Sequence, residues 1–223
     1  MNIRNCTKHG IVVLGVITFL MLSTFMLSGF SQNVIRNTVG QTDYFESSSK
    51  IELSNDDNEP IIIVVSESVI KYTYEDLNKY SDTVLIGTVK EIFPSKWNTN
   101  DGKKPNKPAV EFDSDDLIYT DVVIDVTRYI KNPLSSNEVV VRVMGGVVEK
   151  DSMADDSASY FKPDENVLLY LSEDTYPPLK NVDPDHFVVT GSFQGKFSLT
   201  DDRNAVGWDK TISQEELLSK IEC

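Results

Sequence analysis

Hydrophobic and polar positions divide the chain into an apolar leader, a polar middle and a long alternating remainder. Residues 11–30 (IVVLGVITFLMLSTFMLSGF) carry no charge. As a helix rising 1.5 Å per residue, such a run reaches about 30 Å, the thickness of the hydrocarbon core of a bilayer. Residues 31–59 lose all periodicity and are rich in Ser, Asn, Asp and Gln, which reads as a flexible stalk closed by Pro60. From residue 60 onward short β-branched runs and period-two alternation dominate.

Residues 61–65 form a β-branched run, a strand or an extended lead-in. Thr73 then caps a short helix running to about Tyr80. Residues 82–93 predict a strand, with Gly87 inside it marking a bulge or bend. Residues 94–116 predict a long polar loop. Residues 117–130 predict the next strand, with Val122, Ile124 and Val126 on one face and Asp121, Asp125 and Thr127 on the other. Residues 138–144 repeat the pattern, with Val139, Val141 and Val143 inward and Arg142 outward, until Gly145 and Gly146 break it. Residues 151–163 predict a polar loop, and 166–171 a short strand apolar on both faces. In 186–199, Phe187, Val189, Phe193, Phe197 and Leu199 alternate with polar residues, Gln194 among them. This predicts one continuous strand with Phe193 inward and Gln194 outward. Ser213 and Glu216 form a capping box that opens a terminal helix with Leu217, Leu218 and Ile221 on its apolar stripe.

Charge orients this arrangement. Arg4 and Lys8 are the two basic residues before residue 33, out of 21 in the chain, and all 35 acidic residues come after it. The positive-inside rule therefore places residues 1–10 in the cytoplasm, 11–30 across the membrane as a single span, and 60–223 outside. A secretory signal core is shorter, at about 7–15 apolar residues. The favoured reading is thus an uncleaved anchor. Cleavage before Gln32, which would make the protein secreted, is the alternative. The acidic exterior part repels phosphate backbones, which argues against a nucleic-acid partner. Cys6 and Cys223 fall on opposite sides of the membrane in this scheme, so no disulfide joins them and no zinc cluster forms.

The order of the phrases SDTVLIGTVKEI, YTDVVIDVTRYIKNP, NEVVVRVMGG, NVLLYLSED and HFVVTGSFQGKF resembles the OB-like barrel of the netrin module and of the tissue inhibitors of metalloproteinases. It is also similar to prokaryotic surface proteins of uncharacterised function. The resemblance implies a mainly β fold: a small five-stranded OB-like Greek-key barrel with short flanking helices, here preceded by one transmembrane helix. It also implies protein binding outside the cell. The zinc-directed inhibitory Cys of the animal inhibitors has no counterpart here, so that activity does not carry over.

Candidate chemistry is sparse. His186 is the one histidine outside residues 1–10; a solvated strand-end residue is the favoured reading over a catalytic base, since no positioned nucleophile is visible. Glu111, Asp113, Asp115 and Asp116 crowd one loop and offer oxygens of the kind calcium takes. Their spacing is not that of an EF-hand, and a solvated acidic loop is the favoured reading. Asp151, Asp155 and Asp156 form a weaker candidate of the same kind. Trp97, Tyr119 and Trp208 would suit an aromatic platform for a sugar or peptide, although core packing is the usual role of such residues. No catalytic residue and no cofactor other than calcium can be named. The expectation is a non-enzymatic binding module for an envelope protein or glycan. The alternative is an extracytoplasmic hydrolase using acidic loop residues with a divalent cation.

Overall fold

The computed structural model describes residues 47–52, 60–179 and 182–221. The predicted membrane segment lies outside these residues; among them no helix is long and apolar enough to cross a membrane. Within the stretch read as a stalk, β1 (Ser47–Glu52) pairs antiparallel with β2 (Ile62–Glu67). Next comes α1 (Tyr74–Tyr80), whose Thr73 hydroxyl accepts from the Asp76 N–H while the Asp76 carboxylate accepts from the Thr73 N–H, closing a capping box.

The long strands follow: β3 (Thr83–Ile92), the short β4 (Lys96–Trp97), β5 (Ile118–Lys131) and β6 (Glu138–Met144). A hairpin, β7 (Gly146–Val148) and β8 (Asp151–Asp155), precedes β9 (Asn166–Glu173) and β10 (Phe187–Val189). The chain ends in β11 (Lys196–Leu199), β12 (Asn204–Val206), β13 (Thr211–Ser213) and α2 (Gln214–Ile221).

Strands β3, β5, β6, β10 and β9 close on themselves. β5 pairs antiparallel with β3 and β6, β9 pairs antiparallel with β3 and β10, and β10 completes the ring by pairing parallel with β6. The result is a closed five-strand barrel, compatible with an OB-like barrel. Its interior is filled by Leu85, Val89, Val122, Ile124, Val139, Val141, Val167, Leu169 and Leu171. The expected irregularity at Gly87 is present: the β3–β5 register shifts between Ile86 and Gly87. A Cβ at Gly87 would lie 2.6 Å from the Asp125 carbonyl oxygen, so the strands approach more closely there than any side chain allows.

The outside of the barrel is covered twice. On one side β1, β2, β8 and β7 form a separate sheet, in that order. Ile61, Ile63, Val65 and Met153 pack from it onto Trp97, Leu117, Ile118 and Tyr119. On the other side Leu77, Leu217 and Ile221 of the helices pack against Leu168, Tyr170, Phe197 and Ala205. Strand β9 is apolar on both faces for this reason: Leu169 points into the barrel and Leu168 towards the helices.

Two expectations are corrected. Residues 151–163 are not all loop, because 151–155 form β8, parallel to β2. Residues 186–199 are not one strand. Gly191 and Ser192 both take positive φ, and a 3-10 turn (Ser192–Gly195) separates β10 from β11. Both strands run antiparallel to β9, β10 beside its C-terminal half and β11 beside its N-terminal half. The turn lets β10 close onto β6 while β11 stays on β9 and continues the same sheet into β12 and β13. The break reverses the expected facing: Gln194 is buried and Phe193 only half-buried.

Candidate functional site

A cleft of about 550 Å³ opens where the ends of β2, β6 and β9, the turn after β8, and β10 converge. Val143, Met144, Val188, Val189 and Leu179 supply its apolar surface; Glu67, Asp155, Ser157, Asp174 and Tyr176 are among its polar residues. The parallel pairing of β2 and β8, with Val65 opposite Asp155, brings together carboxylates that lie 88 residues apart in sequence.

Glu67 and Asp155 meet at the Ser157 hydroxyl, which is 2.8 Å from Asp155 Oδ1 and 3.3 Å from Glu67 Oε2. The Ser157 N–H also donates to Asp155 Oδ1 at 2.8 Å, and the Glu67 N–H donates to Asp156 Oδ1 at 3.2 Å. Burial pushes the Glu67 carboxyl above the ordinary glutamate value, and repulsion from Asp155 and Asp156 adds to it against the pull of Ser157. Burial likewise raises Asp155, opposed by its two bonds from Ser157. Tyr176 is raised by burial first, then by Asp115, Glu67 and Asp174. Among the described residues Arg142 is the basic residue of the lining, and its charge is matched by Asp121.

His186 is not a solvated strand end. Its side chain is 2% exposed and that of Asp174 5%, with Nε2 and Oδ2 3.0 Å apart. Nδ1 lies 2.9 Å from the Pro184 carbonyl oxygen. Both ring nitrogens are therefore engaged, and neither is left to take a proton from a nucleophile.

Of the loop acids, Asp113 and Asp116 converge on a side-chain cation, Lys107 Nζ, at 3.5 and 2.6 Å. Glu111 ends a 3-10 turn (Ala109–Glu111) and is exposed. Asp113 accepts from the Asp115 N–H at 2.9 Å, and Asp116 accepts from the Asp113 N–H at 2.7 Å. Asp151 caps the Ile61 N–H at 2.9 Å. Among the described residues no group of three or more His, Cys, Asp or Glu could hold a metal ion.

The three aromatic candidates part company. Trp97 is fully buried and meets Phe112 edge-on at 5.6 Å, so it anchors the 94–116 loop to the core. Tyr119 is buried beneath the Arg142 guanidinium, 4.0 Å from its ring centroid. Trp208 is 50% exposed and packs on Phe193 with Lys71 above its ring.

Glu67, Asp174 and Tyr176 escape the sequence reading because Glu67 lies about a hundred residues from Asp174 and Tyr176, and only the fold brings the two stretches to one cleft. The one local signal is Asp155-Asp156-Ser157, a run suited to an Asx turn. Neither protein-family models nor curated proteins yield a match to this chain.

Proposed function

We propose that this chain is a non-enzymatic binding module, anchored through residues 11–30 at the outer face of a cell membrane, whose ligand enters the cleft between β2, β6, β9 and β10. The make-up of the cleft supports this reading most. An apolar surface with a few convergent polar groups, in a volume within the roughly 300–1,000 Å³ of small-ligand sites, is the usual form of a binding site. His186, the one described histidine, is committed to Asp174 and the Pro184 carbonyl. The OB-like resemblance adds to the case, since it implies protein binding outside the cell.

A ligand group on an envelope protein or surface glycan fits this placement. The test is capture from the organism's envelope fraction by the full-length chain and by Ala158→Trp, which fills the cleft from an edge position. A partner held by the parent and lost by the variant is expected; equal retention would overturn the cleft as the site. For the topology, a membrane-impermeant thiol reagent should reach Cys223 on intact cells. Labelling only after lysis would overturn the outside placement.

The rival hydrolase reading has one observation in its favour, the Glu67–Ser157–Asp155 contact, which pairs two carboxyl groups of raised value as general acid–base chemistry does. Loss of a hydrolytic activity in both Glu67→Gln and Asp155→Asn would favour it.

A further inference from the structure

Among the described residues the cleft is chemically one-sided. Its lining holds the carboxylates of Glu67, Asp155, Glu173 and Asp174, and its basic residue, Arg142, is held by both oxygens of Asp121. Asp174 is spent on His186. Among the described residues Glu67 and Asp155 are joined to each other through a hydroxyl rather than to a cation. Beside them stand Tyr72 and Tyr176, whose ring faces attract positive charge. Beneath lie Val143, Met144, Val188 and Val189, a surface that takes methylene groups.

We propose that the cleft receives an aliphatic cation, the lysine or arginine side chain of a partner protein, with its charged head against the Glu67 and Asp155 carboxylates and its stem on the Val143–Val188 surface. This rests on the cleft being the binding site. A hard metal ion matches the arrangement less well, because it needs several oxygens converging on one point, and no three such groups do so among the described residues. An organic cation needs only two carboxylates at one end of an apolar trough. Burial and mutual repulsion already hold the Glu67 carboxyl high, so an arriving cation relieves an unfavourable arrangement rather than disturbing a satisfied one.

The test is isothermal titration of the full-length chain with short glycine-flanked peptides carrying one lysine, one arginine, or one norleucine, and with spermidine. The lysine and arginine peptides should bind, and the norleucine peptide should bind at least about tenfold more weakly. Glu67→Gln and Asp155→Asn should each weaken the lysine peptide by about tenfold or more, while circular dichroism shows both variants folded. Equal binding of the norleucine peptide would overturn the cationic class while leaving an apolar ligand in the same cleft. Unchanged affinity in both variants would overturn the assigned carboxylates. Spermidine binding more tightly than either peptide would overturn a protein partner in favour of a free polyamine. Absence of binding by every probe would overturn the cation proposal, and capture by the parent against Ala158→Trp would then decide the cleft independently.

Discussion

Asp121 and Arg142 stand directly opposite each other across β5 and β6, and the guanidinium grips the carboxylate twice: Nε to Oδ1 at 2.7 Å and Nη2 to Oδ2 at 2.8 Å. The remaining donors reach the backbone, Nη1 to the Val182 carbonyl at 3.0 Å and Nη2 to the Asp183 carbonyl at 3.3 Å. One face of the guanidinium lies over the Tyr119 ring. A cation on the outside of the barrel is thereby buried, and the segment leading into β10 is tied down onto β6. That segment forms the approach to the strand whose parallel pairing closes the barrel.

Arg142→Met should leave Asp121 buried without its counter-charge and cost about 3–5 kcal/mol. Replacing both, as Asp121→Val with Arg142→Leu, should recover most of that loss, because two buried charges then disappear together. Urea denaturation of the parent, the single variant and the double variant measures it. A double variant no more stable than Arg142→Met would show that the backbone bonds to Val182 and Asp183 matter more than the charge.

The turn between β10 and β11 has an equally direct test. Gln194 Oε1 accepts from the Tyr72 N–H at 2.9 Å, and Nε2 donates to the Ile70 carbonyl at 2.8 Å and the Gly191 carbonyl at 3.1 Å. Gln194→Ala strands the Tyr72 N–H and the Ile70 carbonyl, at about 1–3 kcal/mol for each one left buried, whereas the Gly191 carbonyl keeps its bond from the Gln194 backbone N–H. Phe193→Ala removes a half-buried ring that packs on Trp208, 5.3 Å away, and should cost about 1–2 kcal/mol. The larger loss is thus expected at the polar residue. A larger loss for Phe193→Ala in chemical denaturation would restore the continuous strand.

These cases mark where the sequence was legible. Thr73 with Asp76, and Ser213 with Glu216, announce their helices because capping is a contact over three residues. The alternation in β5 and β6 and the apolar run of β9 are equally local. Period two fails at 186–199 because it reports the spacing of residues and not a pair of left-handed residues at Gly191 and Ser192. It fails at β8 because Ser152 and Ala154 flank a lone inward Met153, and parallel pairing with β2 is non-local. Arg142 does face outward from the barrel, but register alone reveals the Asp121 opposite it. The cleft is hidden for the same reason, since Glu67 and Asp155 meet only through the β2–β8 pairing.

Gly87 should tolerate no side chain. Its Cβ position lies 2.6 Å from the Asp125 carbonyl oxygen and 2.6 Å from Ile124 Cγ2, and the backbone oxygen cannot swing aside. Gly87→Ala should therefore cost about 1–3 kcal/mol by forcing β3 and β5 apart at the bulge. Measured stability equal to the parent would mean that the two strands separate there at no cost.

The carboxyl pair in the cleft should leave its mark on the pH dependence of folding. Glu67 is raised by burial, by Asp155 and by Asp156, and Asp155 by burial and by Asp156; the Ser157 bonds oppose both shifts, and Tyr176 also faces Glu67. In the unfolded chain these groups return towards 4.5 for glutamate and 3.8 for aspartate. Between those ordinary values and the raised native ones, the folded state holds protons that the unfolded state has released. Unfolding in that window sheds protons, so stability falls as pH rises. The contribution is fully present below the ordinary values and is lost as pH passes through the raised ones. Glu67→Gln removes one of these raised carboxyls while keeping an acceptor for Ser157. Above the window the variant should be more stable than the parent, and on acidification the two stabilities should converge. Urea midpoints for both proteins, followed from acid to neutral pH, decide it. A variant less stable than the parent at neutral pH would show that the Glu67 charge is compensated in the fold. The cleft would then lack the unsatisfied negative charge on which its attraction for a cation depends.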